Sequence, residues 1–137
     1  MEYKVGMRTP WGDAQDVRTI AEGIVEVSTA GHGGIHLASE RQRAVKAIAP
    51  KFKTWAGGPW YEEDCDVSLV ILAHWEHFDR AAIRGAVHTV RMCASWERRD
   101  KNSTKWIDVE DWLDSDTPHA KSLLQTVADF ETEAIAV

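Results

Sequence analysis

Two histidines near a run of glycines, with three carboxylates further along the chain, are the residues that could carry out chemistry. The histidines are His32 and His36, and the carboxylates are Glu62, Glu63 and Asp66. Imidazole nitrogens and carboxylate oxygens are ligands of divalent metal ions, and a bound metal ion can activate water. In an extended strand His36 and Gly34 share a face, and His32 could approach that face from a turn. The five residues are therefore a candidate metal site.

The same residues also have a structural explanation, which we favour. Glycine is needed in a hairpin turn where φ is positive, so Gly33 and Gly34 predict such a turn. Acidic side chains such as Glu62 and Glu63 suit the first turn of a helix because the helix dipole is positive there. We therefore predict no metal and no cofactor. A metal-dependent hydrolase or nucleic-acid-processing enzyme is kept as the first alternative.

Several familiar enzyme classes lack their motif in this chain. The string Gly31-His32-Gly33-Gly34 is similar to an oxyanion-hole loop, but no Gly-x-Ser-x-Gly nucleophile turn accompanies it. The phosphate-binding loop, the dinucleotide fingerprint and the Cys-x-x-Cys pair are also missing from the sequence. His74 and His77 lie three residues apart, whereas the zinc-protease motif places its histidines four apart. Their position predicts a favourable interaction with a helix C-terminus instead.

A basic stripe is predicted on one helix. Its members recur at helical spacing, opposite the apolar residues of the same segment, and they are Arg80, Arg84, His88 and Arg91. Arg98, Arg99, Lys101 and Lys105 extend it. Such a stripe could contact phosphates or an acidic protein surface, and a solvated helix face is the structural explanation. A nucleic-acid-binding module is therefore the second alternative.

An acidic segment near the C-terminus carries two tryptophans, five acids and no base. Its partner-binding candidates are Trp106, Asp108, Glu110, Asp111, Trp112, Asp114 and Asp116. Regularly spaced acids can mimic phosphate charge, and tryptophan is enriched at the centre of protein interfaces. The structural explanation places both tryptophans in the core. The chain has 7 tryptophans, too many to bury fully in a domain of this size, so some are expected at the surface.

Length and charge limit the function further. A chain of 137 residues predicts a single domain over residues 1–137. The net charge is −6, with 8 basic and 6 acidic residues in 1–60 against 8 and 16 in 61–137. Since an acidic chain lacks general attraction for phosphate, nucleic acid is not the favoured partner. No apolar run is long enough to span a bilayer and no export signal begins the chain, so we expect a cytoplasmic protein without a membrane partner.

The predicted fold class is α+β, with a small antiparallel hairpin or sheet packed against about four helices and a helical C-terminal half. Thr9-Pro10-Trp11-Gly12 predicts a turn, and residues 23–29 and 35–37 predict two strands joined by the glycine segment. Ser39 and Gln42 fit a capping box for a helix that Pro50 ends. The next helix is expected to begin near Trp60 and to reach His77, with a strand at 67–73 as the alternative.

Three further helices complete the prediction. Asp79 is expected to cap the helix that carries the basic stripe, in which Ile83, Val87, Val90 and Ala94 form the apolar side. A short helix is predicted over 108–113. Thr117 and Pro118 then predict the start of a last helix.

Three strings together resemble an uncharacterised domain family of proteobacterial plasmid and phage proteins. They are Thr9-Pro10-Trp11-Gly12, then AEGIVEVSTAGHGG from Ala21, then Trp60-Tyr61-Glu62-Glu63-Asp64-Cys65-Asp66. The resemblance covers about residues 8 to 80. It implies a mobile-element setting and carries no catalytic residue or substrate.

The sequence thus favours binding over catalysis, with no catalytic residue assigned. We expect an accessory protein of a phage or plasmid that inhibits a host defence complex by protein binding, as an anti-CRISPR or antirestriction protein does. Its partner would be a host protein or nucleoprotein complex in the host bacterial cytoplasm. The acidic segment would occupy a basic channel of that complex, and direct binding of nucleic acid is not favoured.

Overall fold

A computed structural model of the chain describes residues 3–49, 54, 56–99 and 125, with the backbone alone described for 91–99. The elements are β1 (Arg8–Thr9), β2 (Gly12–Asp13), β3 (Asp16–Ala21), β4 (Ile24–Ser28), β5 (Gly33–Leu37), α1 (Ser39–Ile48), β6 (Trp60–Glu62), α2 (Val67–Ala73), a 3-10 helix (Trp75–His77) and α3 (Arg80–Arg99). Strands β1 to β5 come first, and β6 lies between the first two helices.

The main sheet has four antiparallel strands in the order β3-β4-β5-β6. The predicted hairpin is confirmed as β4 and β5, in which Val25 pairs with His36 and Val27 with Gly34. Strands β1 and β2 form a separate ribbon around the predicted turn that contains Trp11. With helices packed beside these antiparallel strands, the α+β class is confirmed.

One face of the sheet packs against the helices. The buried cluster consists of Ile24, Ile35, Leu37, Val45, Ile48, Ala49, Tyr61, Leu69, Val70, Leu72, Ala73, Ile83, Ala86, Val87 and Val90. The apolar spacing predicted for α3 is confirmed at Ile83, Val87 and Val90. Alternation of Ile35 and Leu37 along β5 and helical spacing along α3 direct these side chains to one core.

The predicted role of Gly33 and Gly34 is wrong. Both lie inside β5, and neither has a positive φ. Their lack of a side chain serves close packing instead, since a Cβ on Gly33 would lie 2.6 Å from the backbone oxygen of Val27. A Cβ on Gly34 would lie 2.5 Å from the Trp11 ring. The turn between β4 and β5 is closed by the Thr29 hydroxyl, which donates to the carbonyl of His32 at 2.7 Å.

The predicted helix start near Trp60 is also wrong. Trp60 and Tyr61 belong to β6 and pair with His36 and Ile35 of β5. A turn follows, and α2 begins only at Val67, so residues 67–73 are helical and the alternative strand does not form. The local sequence contains good helix signals, but pairing with β5 buries Tyr61 and overrides them.

The two predicted helix caps have different outcomes. Asp79 caps α3 as expected, because its Oδ1 accepts a hydrogen bond from the Ala82 amide at 2.8 Å. The capping box of α1 is wrong: the N-cap is Ala38, which has no side-chain bond to the helix. The side-chain amide of Gln42 donates instead, through Nε2, to the carbonyl of Leu37 at 3.0 Å. The Gln42 side chain thus bonds to the backbone at the start of α1, but not in the pattern of a capping box.

The last predicted helices, over 108–113 and from Thr117 onwards, lie outside the described residues apart from Gln125, which is helical. None of the helices in the described part combines the length and apolar content needed to cross a membrane.

Candidate functional site

Of the five candidate metal ligands, the structure brings together His32 and Glu63. The His32 Nδ1 lies 3.8 Å from a Glu63 carboxylate oxygen, and both side chains are at least half exposed. They meet because the Glu63 amide donates to the carbonyl of Gly33, beside the turn that carries His32. Exposed pairs of this kind contribute little to stability.

His36 belongs instead to an aromatic cluster on the sheet face opposite the helices. The cluster consists of Tyr3, Trp11, His36 and Trp60, all half-buried. The Trp60 ring centroid lies 4.9 Å from that of His36, 5.1 Å from that of Tyr3 and 5.6 Å from that of Trp11, each in an edge-on arrangement. Such geometry is favourable between aromatic rings. Burial lowers the pKa of His36, which favours the neutral imidazole.

The Glu62 carboxylate holds the turn between β6 and α2. Its oxygens accept hydrogen bonds from the amides of Asp64 at 2.9 Å, Cys65 at 2.6 Å and Asp66 at 3.3 Å. A carboxylate that satisfies three backbone amides stabilises the turn in the way that a capping residue stabilises a helix start. Glu62 is thereby engaged away from His32 and His36.

Asp66 is fully buried, with 0% of its surface exposed. Burial raises the pKa of Tyr61 to about 12, and the nearby Asp66 charge adds to the shift. Within the described part of the chain, no group of three or more His, Cys, Asp or Glu side chains is arranged to hold a metal ion. No three of the five candidate ligands are therefore placed around one point in the described structure.

The described part of α3 exposes the predicted basic stripe. Arg80, Arg84 and His88 are all exposed, one turn apart, and the small residues Ala81 and Gly85 lie beside them. The chain has no acidic residue between positions 80 and 96. The side chain of Arg91, the fourth predicted member, lies outside what the structure describes. An exposed basic stripe of this kind can approach a negative surface.

The acidic segment lies outside the described residues. Its partner-binding candidates, from Trp106 to Asp116, are therefore known by their sequence only.

A contact between Arg41 of α1 and the buried His74 at the end of α2 was not predicted from the sequence. His74, predicted to interact with a helix dipole, is 4% exposed. Its Nε2 donates to the carbonyl of Arg41 at 3.0 Å, and its Nδ1 lies 3.5 Å from the Arg41 guanidinium. Arg41 also donates through Nε to the carbonyl of Glu22 at 2.9 Å. Burial is the largest cause of a lowered pKa for His74, and the Arg41 charge acts in the same direction.

An open cavity of about 520 Å³ lies between the β3 end of the sheet and the helices. Ile20, Ile35, Val67, Ile71 and Phe78 supply its apolar lining, and Arg18 and Glu26 lie on its strand side. The Arg18 guanidinium and the Glu26 carboxylate are 3.4 Å apart across β3 and β4.

Comparison with known proteins adds a family match. A family model described as "Domain of unknown function (DUF7007)" matches residues 4–134. No curated protein and no solved structure matches the chain.

Proposed function

Since the chain belongs to the DUF7007 family, whose description names no activity, we propose its function from its own residues: it acts by binding a protein partner. The partner is a host protein or nucleoprotein defence complex with a basic surface. In this proposal the protein is an accessory factor of a phage or plasmid, of anti-CRISPR or antirestriction type, acting in the host bacterial cytoplasm. It inhibits the complex by occupying its nucleic-acid channel.

The observation that carries the proposal is the composition of the acidic segment. Residues 106–116 contain five acids and no base, which no local fold requirement explains, and two tryptophans lie among them. Carboxylates steer association with a basic surface, and tryptophan supplies the apolar contact area that anchors an interface. The segment therefore offers both parts of a steric and electrostatic inhibitor.

The described residues support binding over catalysis. His36 packs in the aromatic cluster, Glu62 satisfies three amides of a turn, and Asp66 is fully buried. A nucleophile, a base and an orienting group within hydrogen-bond reach of one another are what hydrolysis requires. These side chains are engaged in structural contacts instead.

The mobile-element part of the proposal rests on the resemblance of the three strings to plasmid and phage proteins. Inhibition of a host defence complex is an analogy from that setting, since family origin alone assigns no activity.

The test is affinity capture from a bacterial host, followed by charge reversal in the acidic segment. Replacing Asp111, Asp114 and Asp116 with Lys places like charges against a basic surface, and we expect binding to the captured partner to weaken about tenfold or more. Isothermal titration or surface plasmon resonance measures the change. Circular dichroism checks that the variant folds.

A matched control separates a local effect from net charge. Glu22, Glu40 and Asp64 are exposed acids on the described surface, and replacing them with Lys changes the net charge by the same amount. We expect this control to bind nearly as tightly as the wild type. Equal affinity of all three proteins would show that the acidic segment is only a solvated surface.

A second candidate function is binding of nucleic acid through the basic stripe. The specific observation in its favour is the exposure of Arg80, Arg84 and His88 along one side of α3. It is less favoured because the chain as a whole carries a charge of −6.

A further inference from the structure

Strand β3 ends the main sheet, and no other strand in the described part of the chain pairs with its outer edge. Within the described residues β3 pairs only with β4, through antiparallel contacts such as Val17 with Val27. The outer edge of a strand presents backbone amides and carbonyls in a row, which is a template for pairing with another strand. Asp16, Arg18 and Thr19 are exposed along it.

The order of charges on β3 is self-complementary. We propose that β3 pairs antiparallel with β3 of a second copy of this chain, with the two Val17 residues opposite each other. Asp16 of each copy then lies opposite Arg18 of the other, which gives two ion pairs around a central apolar pair. Opposite charges in directly facing positions stabilise an antiparallel ladder.

The neighbouring registers of this pairing are disfavoured by the same charges. Moving the centre of pairing one residue towards the N-terminus places Asp16 opposite Asp16, and moving it one residue the other way places Arg18 opposite Arg18. Like charges in facing positions are destabilising. The charges therefore select the register centred on Val17.

The local geometry of β3 agrees with this register. Pairing with β4 is regular from Asp16 to Thr19, and an irregularity follows between Thr19 and Ala21. A regular strand segment is what a second strand can extend, whereas a bulge twists an edge away from pairing. The pairing centred on Val17 uses the regular part alone.

The open cavity beside β3 supplies the apolar area that strand pairing lacks. Its half-buried residues Ile20 and Phe78 lie at the same end of the sheet as Arg18, and a second copy seated on β3 would cover them. A stable interface buries about 1,200 Å² or more, which a pairing of a few residues cannot supply alone. The proposal is independent of the acidic segment.

The experiment uses the full chain. It compares two single charge-reversal variants, each alone, with a mixture of the two variant proteins. We expect wild-type protein to show a concentration-dependent dimer in sedimentation equilibrium. Asp16→Arg and Arg18→Asp should each raise the dimer dissociation constant about tenfold or more, because each places like charges opposite one another. Mixing the two variants should restore the dimer, because the mixed pair again has an acid opposite each base.

Two controls accompany the reversals. Asp64→Arg and Arg43→Asp make the same charge changes at exposed positions away from β3 and should leave the dimer unchanged. Thermal unfolding of each variant checks the fold. If Arg18→Asp fails to fold beside Glu26, Asp16→Arg alone still tests the interface. A wild-type monomer at every concentration, or a dimer that Asp16→Arg leaves intact, would overturn the proposal.

Discussion

Among single residues, Gly33 and Gly34 lie where the β5 backbone is approached most closely. Both neighbouring strands and the Trp11 ring come near it there. A Cβ on Gly34 would meet both the carbonyl of Tyr61 in β6 and the ring of Trp11. The requirement for glycine is therefore steric and comes from residues distant in sequence. Overpacking of this kind is destabilising because neither a paired strand nor a ring held in a cluster can easily move.

We expect Gly34→Ala to lower the free energy of unfolding by about 1–3 kcal/mol, since the added methyl displaces the Trp11 ring or the β6 backbone. Denaturant unfolding followed by circular dichroism measures the change. Gly31→Ala is the matched control, because Gly31 has no atom near its Cβ position and no positive φ. Its stability should stay within about 0.5 kcal/mol of the wild type. Equal stabilities for the two variants would contradict the close approach.

At the scale of elements, the contact between Arg41 and His74 joins three parts of the fold. Arg41 lies on α1, His74 follows α2, and the carbonyl of Glu22 belongs to the turn between β3 and β4. A carbonyl only accepts and a guanidinium only donates, so His74 must be neutral, with its proton on Nε2, to satisfy both. Protonation would place a second cation beside Arg41 in a buried position.

We therefore expect stability to fall as the pH falls. The pKa of His74 in the folded protein is lowered from 6.5, so its unfolded state binds more protons below that value. The contribution of neutral His74 to the free energy of unfolding is fully present above about pH 6.5. It is lost as the pH falls towards the lowered pKa of the folded protein. The half-buried His36 contributes in the same direction. Replacing His74 with Gln should flatten the dependence of unfolding midpoint on pH.

Thermal unfolding at several pH values between about 7.5 and about 5.5 measures this dependence. The same replacement at the exposed His88 is the control for removing any histidine. An unchanged slope in the His74→Gln protein would show that the buried imidazole does not respond to pH.

In the molecule as a whole, acidic residues are concentrated in the second half of the chain. Residues 61–137 contain 16 acids against 8 bases, yet Arg80, Arg84 and His88 are exposed along one side of α3. The net charge opposes nucleic-acid binding, whereas the stripe would support it locally. The two effects can be separated because they differ in their response to salt.

We expect Arg80→Gln with Arg84→Gln to leave stability within about 0.5 kcal/mol, because both side chains are exposed. We also expect the wild type to show no binding of DNA or RNA at physiological salt. Fluorescence anisotropy with labelled oligonucleotides at rising salt measures this. Salt-sensitive binding that disappears in the double variant would favour the nucleic-acid function over protein binding.

Features that depend on neighbouring residues could be predicted from the sequence. A run rich in β-branched residues defines β4, helical spacing at Ile83, Val87 and Val90 defines α3, and Asp79 caps that helix. The turn that contains Trp11 was also predictable from its proline and glycine. Each of these depends on residues within a few positions, so neighbouring residues are sufficient to specify it.

The contacts of the candidate metal ligands and of His74 depend on tertiary structure. Trp60 and Tyr61 form a strand because β5 lies beside them, and Glu62 consequently reaches the turn rather than the two histidines. His36 meets Trp60 through strand register, and His74 meets Arg41 across 33 positions of sequence. These contacts join residues that are distant along the chain, and their free energy comes from packing and desolvation, which local pattern does not specify.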